Sequence, residues 1–318
     1  MMINLARVAD RGPLVAAGLA AALLLGALWV PVILGGASSG LLVLASFLSL
    51  YCLICSAAVV AFVALRHGEG SALQVVGGCL LLLIVVSMVL YQSAVHVPMV
   101  ASVFWLPAIV AAVVLARTVK LDYAVLAIVA CGLVAVTGLT LIIGDSTEFW
   151  RSQFADTGAV ATTDGSATAA TVGISDEQRE AFIGAMARMM TGAMGVSVMS
   201  VALGALFLAR FWQAGLFNPG GFQSEFHSLS LGRNAAVVCV VVIVMAIGQG
   251  GQLAGAIAMV VIFAFFIQGL AVVHALVKQR GMHRYWLHGI YVLLLLPHTL
   301  LLLAALGLAD NLFRLRRA

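Results

Sequence analysis

Long apolar stretches separated by brief polar breaks make up nearly all of this 318-residue chain. Nine such runs fall at residues 14–34, 41–65, 72–90, 97–116, 123–143, 183–208, 235–247, 253–277 and 290–308. A helix needs about 20 apolar residues to cross the hydrocarbon core of a bilayer. A transmembrane β-barrel would alternate apolar and polar positions, whereas runs such as residues 80–86 are continuously apolar. The pattern predicts an all-α polytopic transmembrane helix bundle, a single integral membrane domain over residues 1–318. The seventh run is short, and Pro297-His298 interrupts the ninth. A short or Pro-broken run is a candidate for a re-entrant element rather than a full crossing.

The polar breaks carry an orientation signal. Lys and Arg concentrate in cytoplasmic loops of membrane proteins. Arg7 and Arg11 precede the first run, and Arg66, Arg117, Lys120, Arg210, Arg233, Lys278, Arg280 and Arg284 occupy the even-numbered loops. The first, third and seventh loops have none. This alternation predicts a cytoplasmic N-terminus. The long fifth loop, about residues 144–181, is then extracytoplasmic, with seven acids against Arg151 and Arg179. Its Ala, Thr, Gly and Ser content predicts a partly mobile segment. Nine crossings would place the basic tail Arg314, Arg316 and Arg317 outside. We therefore expect eight crossings, with the last run re-entrant and the short 235–247 run the second suspect. The basic N-terminal residues before the first run read as an uncleaved signal-anchor.

Composition supports the same class. Hydrophobic residues make up 64% of the chain and charged residues 9%, with a mean hydropathy of +1.16. Soluble domains carry roughly 25% charged residues. The partner this chain requires is the lipid bilayer. Its net charge of +4 reflects cytoplasmic loop bias and gives no reason to expect a nucleic-acid partner. The Cys52-x-x-Cys55 pair lies in an apolar run without an adjacent His or acid, so two buried structural thiols are expected. Gly184, Gly192, Gly195 and Gly204 along the sixth run, and Gly251-x-x-x-Gly255 at the eighth, predict close helix packing.

Polar groups inside apolar runs are costly and so are candidates for function. Gln268 and His274 in the eighth run and His298 in the ninth are the candidate small-molecule-binding set, in a pocket near mid-membrane. Gln92, His96 and Arg188 lie close to run ends. Asp310 and Arg314 stand at i,i+4 spacing, which allows an ion pair if the helix continues.

The break between the sixth and seventh runs is the most polar and aromatic of the short loops. Arg210 and Trp212 are expected at the membrane boundary, followed by Gln213. Asn218-Pro219-Gly220-Gly221 has strong turn chemistry, because Pro fixes φ and Gly accepts positive φ. Phe222 flanks the turn, and Glu225 has Arg210 and Arg233 on either side. These residues read as an anchored turn, as a docking surface for a cytoplasmic or membrane protein partner, or as a gate over a polar cavity.

The same stretch resembles a known family. Residues 206–227, L-F-L-A-R-F-W-Q-A-G-L-F-N-P-G-G-F-Q-S-E-F-H, look like the signature of the YybS-like family of multi-pass bacterial membrane proteins of unknown function. A-L-R-H-G at 64–68, F-W-L-P at 104–107, L-A-R-T at 115–118, Q-G-L-A-V-V-H at 268–274 and L-G-L-A-D at 306–310 resemble further family segments in the same order. The resemblance implies a bacterial inner-membrane protein. The family is distantly similar to the substrate-binding membrane subunits of energy-coupling-factor transporters, which bind a small molecule within the bundle and dock a partner. It therefore implies a transport-related, small-molecule-binding subunit. The alternative is a non-catalytic scaffold or assembly factor that docks a partner through residues 210–233. The chain shows no His-Glu-x-x-His, no Gly-x-Ser-x-Gly, no paired intramembrane carboxylates and no phosphate-cradling loop. No catalytic residue, metal site or cofactor is assigned, and an enzyme is not expected.

Overall fold

A computed structural model describes residues 2–33, 39–92, 94–156, 176–249, 251–283 and 285–317. The described residues are all-α, as the run pattern predicts. Along the chain these are α1 (Met2–Ala9), α2 (Pro13–Ile33), α3 (Ser39–His67), α4 (Glu69–Tyr91) and α5 (His96–Thr118). There follow α6 (Leu121–Ile143), α7 (Ser146–Asp156), α8 (Asp176–Phe217), α9 (Gly221–Ser228) and α10 (Arg233–Gln249). The chain ends with α11 (Gln252–Gln279), α12 (Tyr285–Leu293), α13 (Pro297–Phe313) and a 3-10 turn, Leu315–Arg317. Seven helices, α2 to α6, α8 and α11, are long and apolar enough to cross a membrane. The pairs α9–α10 and α12–α13 are bent by 53° and 118°.

Hydrogen bonds and ion pairs sort the helix ends into two groups. At one end Asp10 meets His67 at 2.9 Å and Arg66 at 3.7 Å, and Arg117 pairs with Glu69 at 2.6 Å. The Gln213 amide reaches the Leu65 carbonyl at 3.3 Å, and Ser230 N–H reaches Asp122 at 2.8 Å. Most of the basic loop residues lie here, so we call it the basic end. At the opposite end Gln252 donates to Asp145 at 3.1 Å and accepts from Ser146 at 2.7 Å, which joins the close of α6 to the start of α11.

These contacts fix the course of the last two broken elements. The bent pair α9–α10 leaves the basic end and reaches the Gln252 end, so it makes a pass. The pair α12–α13 does not. It begins just after α11 closes at Gln279, and it finishes at Arg316, whose carbonyl accepts from Gln279 at 3.5 Å. Both ends of the pair therefore lie at the basic end. The cause is local: Pro297 starts α13, and Pro cannot continue a preceding helix without removing a hydrogen bond. Among the described residues the helices thus pass eight times between the two ends of the bundle and form one hairpin, within the seven to nine spans that length and composition allow, and the tail Arg316 lies among the basic loops.

Backbone-close packing holds α13 to α11. A Cβ on Gly269 would collide with the Leu303 carbonyl, and one on Gly307 would meet Phe265 O and lie 2.7 Å from Gly269 N. Gly192 and Gly195 of α8 likewise abut α11 and α6, through Ala256 and Val136. Small residues permit this approach where dispersion, not water release, holds helices together. Gly251 and Gly255 instead face open space within 4 Å, so that motif is not a packing seam. A buried polar clasp adds to the other half of the bundle: Ser56 donates to Ala20 O at 2.7 Å and accepts from the Trp105 indole at 3.2 Å. All five cysteines are free, and Cys55 is buried.

The acidic loop is not all irregular. Asp145 caps α7 by accepting from the N–H groups of Thr147 and Glu148 at 3.0 and 3.2 Å. The indole of Trp150 donates to Thr191 of α8 at 2.9 Å, holding α7 against the bundle. Residues 157–175, on which most of the expected mobility falls, lie outside the described residues.

Candidate functional site

The segment from Arg210 to Phe226 folds inward. Asn218, Pro219, Gly220 and Gly221 form a type II turn, with Gly220 at φ 87 and ψ −12 and Gly221 N–H on Asn218 O at 3.1 Å. Type II needs positive φ at its third residue, where Gly is strain-free. The turn reverses α8 into α9. Arg210 then pairs with Glu225 in a two-pronged contact, Nε to Oε2 at 2.8 Å, and also donates to Gln213. Arg66 stacks 4.2 Å over Phe217. Trp212, expected at the membrane boundary, is instead fully buried against Phe62. Its indole N–H has no hydrogen-bond partner among the described residues. Arg210, Trp212, Gln213 and Glu225 thus serve the bundle itself, while Asn218, Pro219 and Gly220 remain exposed.

Between α9 and α10 the chain is non-helical yet buried at Leu229 and Leu231. Irregular backbone at membrane depth is tolerated only where protein satisfies it. Leu231 N–H donates to Gln268 Oε1 at 3.0 Å, and Gly232 N–H donates to Asn311 Oδ1 at 3.2 Å. Arg316 donates to the carbonyls of His227 and Leu229, both at 2.7 Å, and to Asp310 at 2.6 Å. Asn311 and Gln268 bond each other at 2.8 Å, and Gln268 donates to Asp310 at 3.3 Å. Gln268 is therefore a backbone-satisfying residue rather than a cavity wall. The ion partner of Asp310 is Arg316, not Arg314. The helix stops at Phe313, and Arg314 turns left-handed at φ 56, so the i,i+4 geometry that the Arg314 pair required never forms.

His274 lies on a different face of α11, since six residues is 600° at 100° per residue. Its Nδ1 is 2.8 Å from Leu270 O and its Nε2 is 3.1 Å from the Tyr291 hydroxyl. The carbonyl can only accept, so Nδ1 carries the proton, and Nε2 shares its hydrogen bond with the Tyr291 hydroxyl. Phe226 packs edge-on to the imidazole at 5.5 Å, and Phe207 touches both Phe222 and Phe226. These groups line a cleft of about 630 Å³ among α8, α9, α11 and α12. The Pro219-Gly220 turn forms part of its rim. His274 stands five residues before the end of α11, about 8 Å along the axis at 1.5 Å per residue. The cleft therefore opens near the basic end, not at mid-membrane. His298, at the start of α13, is exposed and does not line it. Gln268, His274 and His298 do not form one pocket, because the 118° bend and the turn of α11 separate them.

The structure adds residues that the sequence reading passed over. Phe207, Phe211 and Tyr291 complete the cleft, and Phe207 and Phe211 stand at i,i+4, a spacing that places both on one helix face. Asn311, Arg316 and Asp122 complete the buried network; no local pattern marks their role, since the groups they satisfy in the link between α9 and α10 are 79 to 108 residues away in sequence. Among the described residues, no group of three His, Cys, Asp or Glu side chains comes together as metal ligands. No family model, no characterised protein and no solved structure matches this chain.

Proposed function

We propose that this integral membrane protein is a binding subunit for an amphipathic small molecule, seated in the aromatic cleft at His274. The observation that carries the reading is the pairing of a hydrogen-bonding His274–Tyr291 floor with walls of Phe207, Phe222 and Phe226. Small-molecule sites are mostly apolar, a few hundred Å³ in volume, and oriented by a small number of polar groups. A polar group of the ligand can take the place at Nε2 now held by Tyr291, while the ligand's apolar body replaces lipid against the phenyl rings. The turn at Pro219-Gly220 then acts as the rim through which the ligand passes. This agrees with the transport-related role that the YybS-like resemblance implies. In the same reading the basic end faces the cytoplasm of a bacterial inner membrane and the acidic loop lies outside. A partner-docking role for residues 210–233 has less support, because Arg210 and Glu225 are paired with each other and Trp212 is buried in the bundle.

Native mass spectrometry of the detergent-purified protein tests the reading. A small-molecule adduct that is present on the wild type, and lost from folded Phe226→Trp and His274→Leu variants, is expected. An adduct-free wild type across extracts and detergents, or an adduct indifferent to both variants, would rule the cleft out as the site.

A further inference from the structure

A second cleft lies on the other side of α9 and differs in chemistry. It encloses about 690 Å³ and shares only His227 with the aromatic cleft. Its lining carries three arginines, Arg233, Arg314 and Arg316, against one carboxylate, Asp310. Arg316 and Asp310 are 12% and 4% exposed and committed to each other, so Asp310 does not neutralise the remaining cations. Arg233 and Arg314 are exposed. Among the described residues no carboxylate stands within ion-pair distance of either. Ser228, Ser230 and Gln279 add hydroxyl and amide groups to the same lining. Arg233 also opens α10, whose first turn carries positive partial charge.

We propose that this cleft binds a phosphate anion. Guanidinium groups match phosphate oxygens by paired charge-assisted hydrogen bonds, and two unpaired arginines facing one polar cleft supply that recognition. The flanks indicate how the anion arrives. Leu312 lines the cleft, and Phe313, Val237 and Val238 beside it are exposed apolar side chains on α13 and α10. A phosphate carried on a lipid headgroup would enter the cleft while its acyl chains cover those residues. The same chemistry would hold a soluble phosphate compound. The inference is independent of the aromatic cleft and stands if that reading fails.

The test uses the full chain in neutral detergent and two probes, short-chain phosphatidylglycerol and inorganic phosphate, with titration followed by calorimetry. The variant is Arg233→Gln with Arg314→Gln; neither residue supports the fold through a contact described above. The control is Arg7→Gln with Arg11→Gln, which removes the same charge from two exposed positions at the same end. The cleft variant is expected to weaken binding of at least one probe by about tenfold or more, the loss of one charge-assisted hydrogen bond. The control should change it less than about twofold. Cleft-dependent binding of phosphatidylglycerol alone identifies a headgroup, and cleft-dependent binding of inorganic phosphate identifies a soluble ligand. Equal losses in variant and control, or no binding of either probe, would overturn the proposal.

Discussion

Leu231 donates its backbone N–H to the side chain of Gln268 at 3.0 Å, inside the bundle. Helices satisfy their own backbone in lipid, but the link between α9 and α10 does not, so side chains from α6, α11, α13 and the tail do it instead. Gln268→Leu keeps the volume and removes the acceptor. Each buried group left unpaired costs about 1–3 kcal/mol, and here Leu231 N–H and the Asn311 amide both lose a partner. Asp310→Ala strands the Arg316 guanidinium and should cost about 3–5 kcal/mol, while Arg314→Ala should be near neutral. Thermal unfolding in detergent reads all three. A neutral Asp310→Ala would mean that the tail is not held as described.

The seam between α11 and α13 predicts a sharp contrast among glycines. Gly269→Ala and Gly307→Ala force Cβ into backbone atoms, which cannot rotate away. Overpacking costs about 1–3 kcal/mol where side chains yield, and these two substitutions should reach or pass the upper end of that range. Gly255→Ala meets nothing within 4 Å and should be neutral or slightly stabilising. Equal effects at all three positions would argue against the close approach.

Val119 closes α5 in the left-handed conformation at φ 56, donating its N–H to Leu115 O at 2.8 Å. Its side chain is 76% exposed, so packing does not compensate a β-branched residue there. Gly adopts this conformation freely. Val119→Gly should raise stability by about 1 kcal/mol, measured as an upward shift in unfolding temperature. A decrease would show that Val119 has a contact not described here.

Asp145 supplies the pH dependence of the opposite end. The Gln252 amide, and then the N–H groups of Glu148 and Thr147, hold its carboxyl below the ordinary range. A carboxyl lowered by folding stabilises the folded state fully above the unfolded value of about 3.9. That contribution is lost as pH falls through the lower folded value. Amide protection in α7, taken relative to the intrinsic exchange rate at each pH, should therefore fall on acidification through that window, and Asp145→Ala should lower it at neutral pH and flatten the response. Unchanged protection in the variant would contradict the cap.

Much of this architecture was legible because run length is a direct physical requirement of the bilayer. Each of the nine apolar runs appears as a helix or as part of a bent pair, and the break at Pro297 falls where the residue type requires it. The α7 helix was less visible, although Asp145 followed by Glu148 is capping chemistry. Pairing was the least legible. Gln268 is conspicuous as a polar residue in an apolar run, but nothing local shows that it serves Leu231, 37 residues away. The Asp310–Arg314 pair failed on a single backbone angle at the helix end. His274 was conspicuous too, yet its cleft needs Phe207 from α8, Phe226 from α9 and Tyr291 from α12, which only the tertiary fold brings together.

The central claim is that a cleft opens at His274 from the basic end of the bundle. In a protein with its five native cysteines replaced, His274→Cys and Val272→Cys report this directly, because Val272 is fully buried two residues away. A small water-soluble thiol reagent is applied to sided vesicles. The account predicts rapid labelling at 274 from the side bearing the basic loops and slow labelling at 272. Equal resistance at both positions, or labelling of 274 only from the side of the acidic loop, would contradict it.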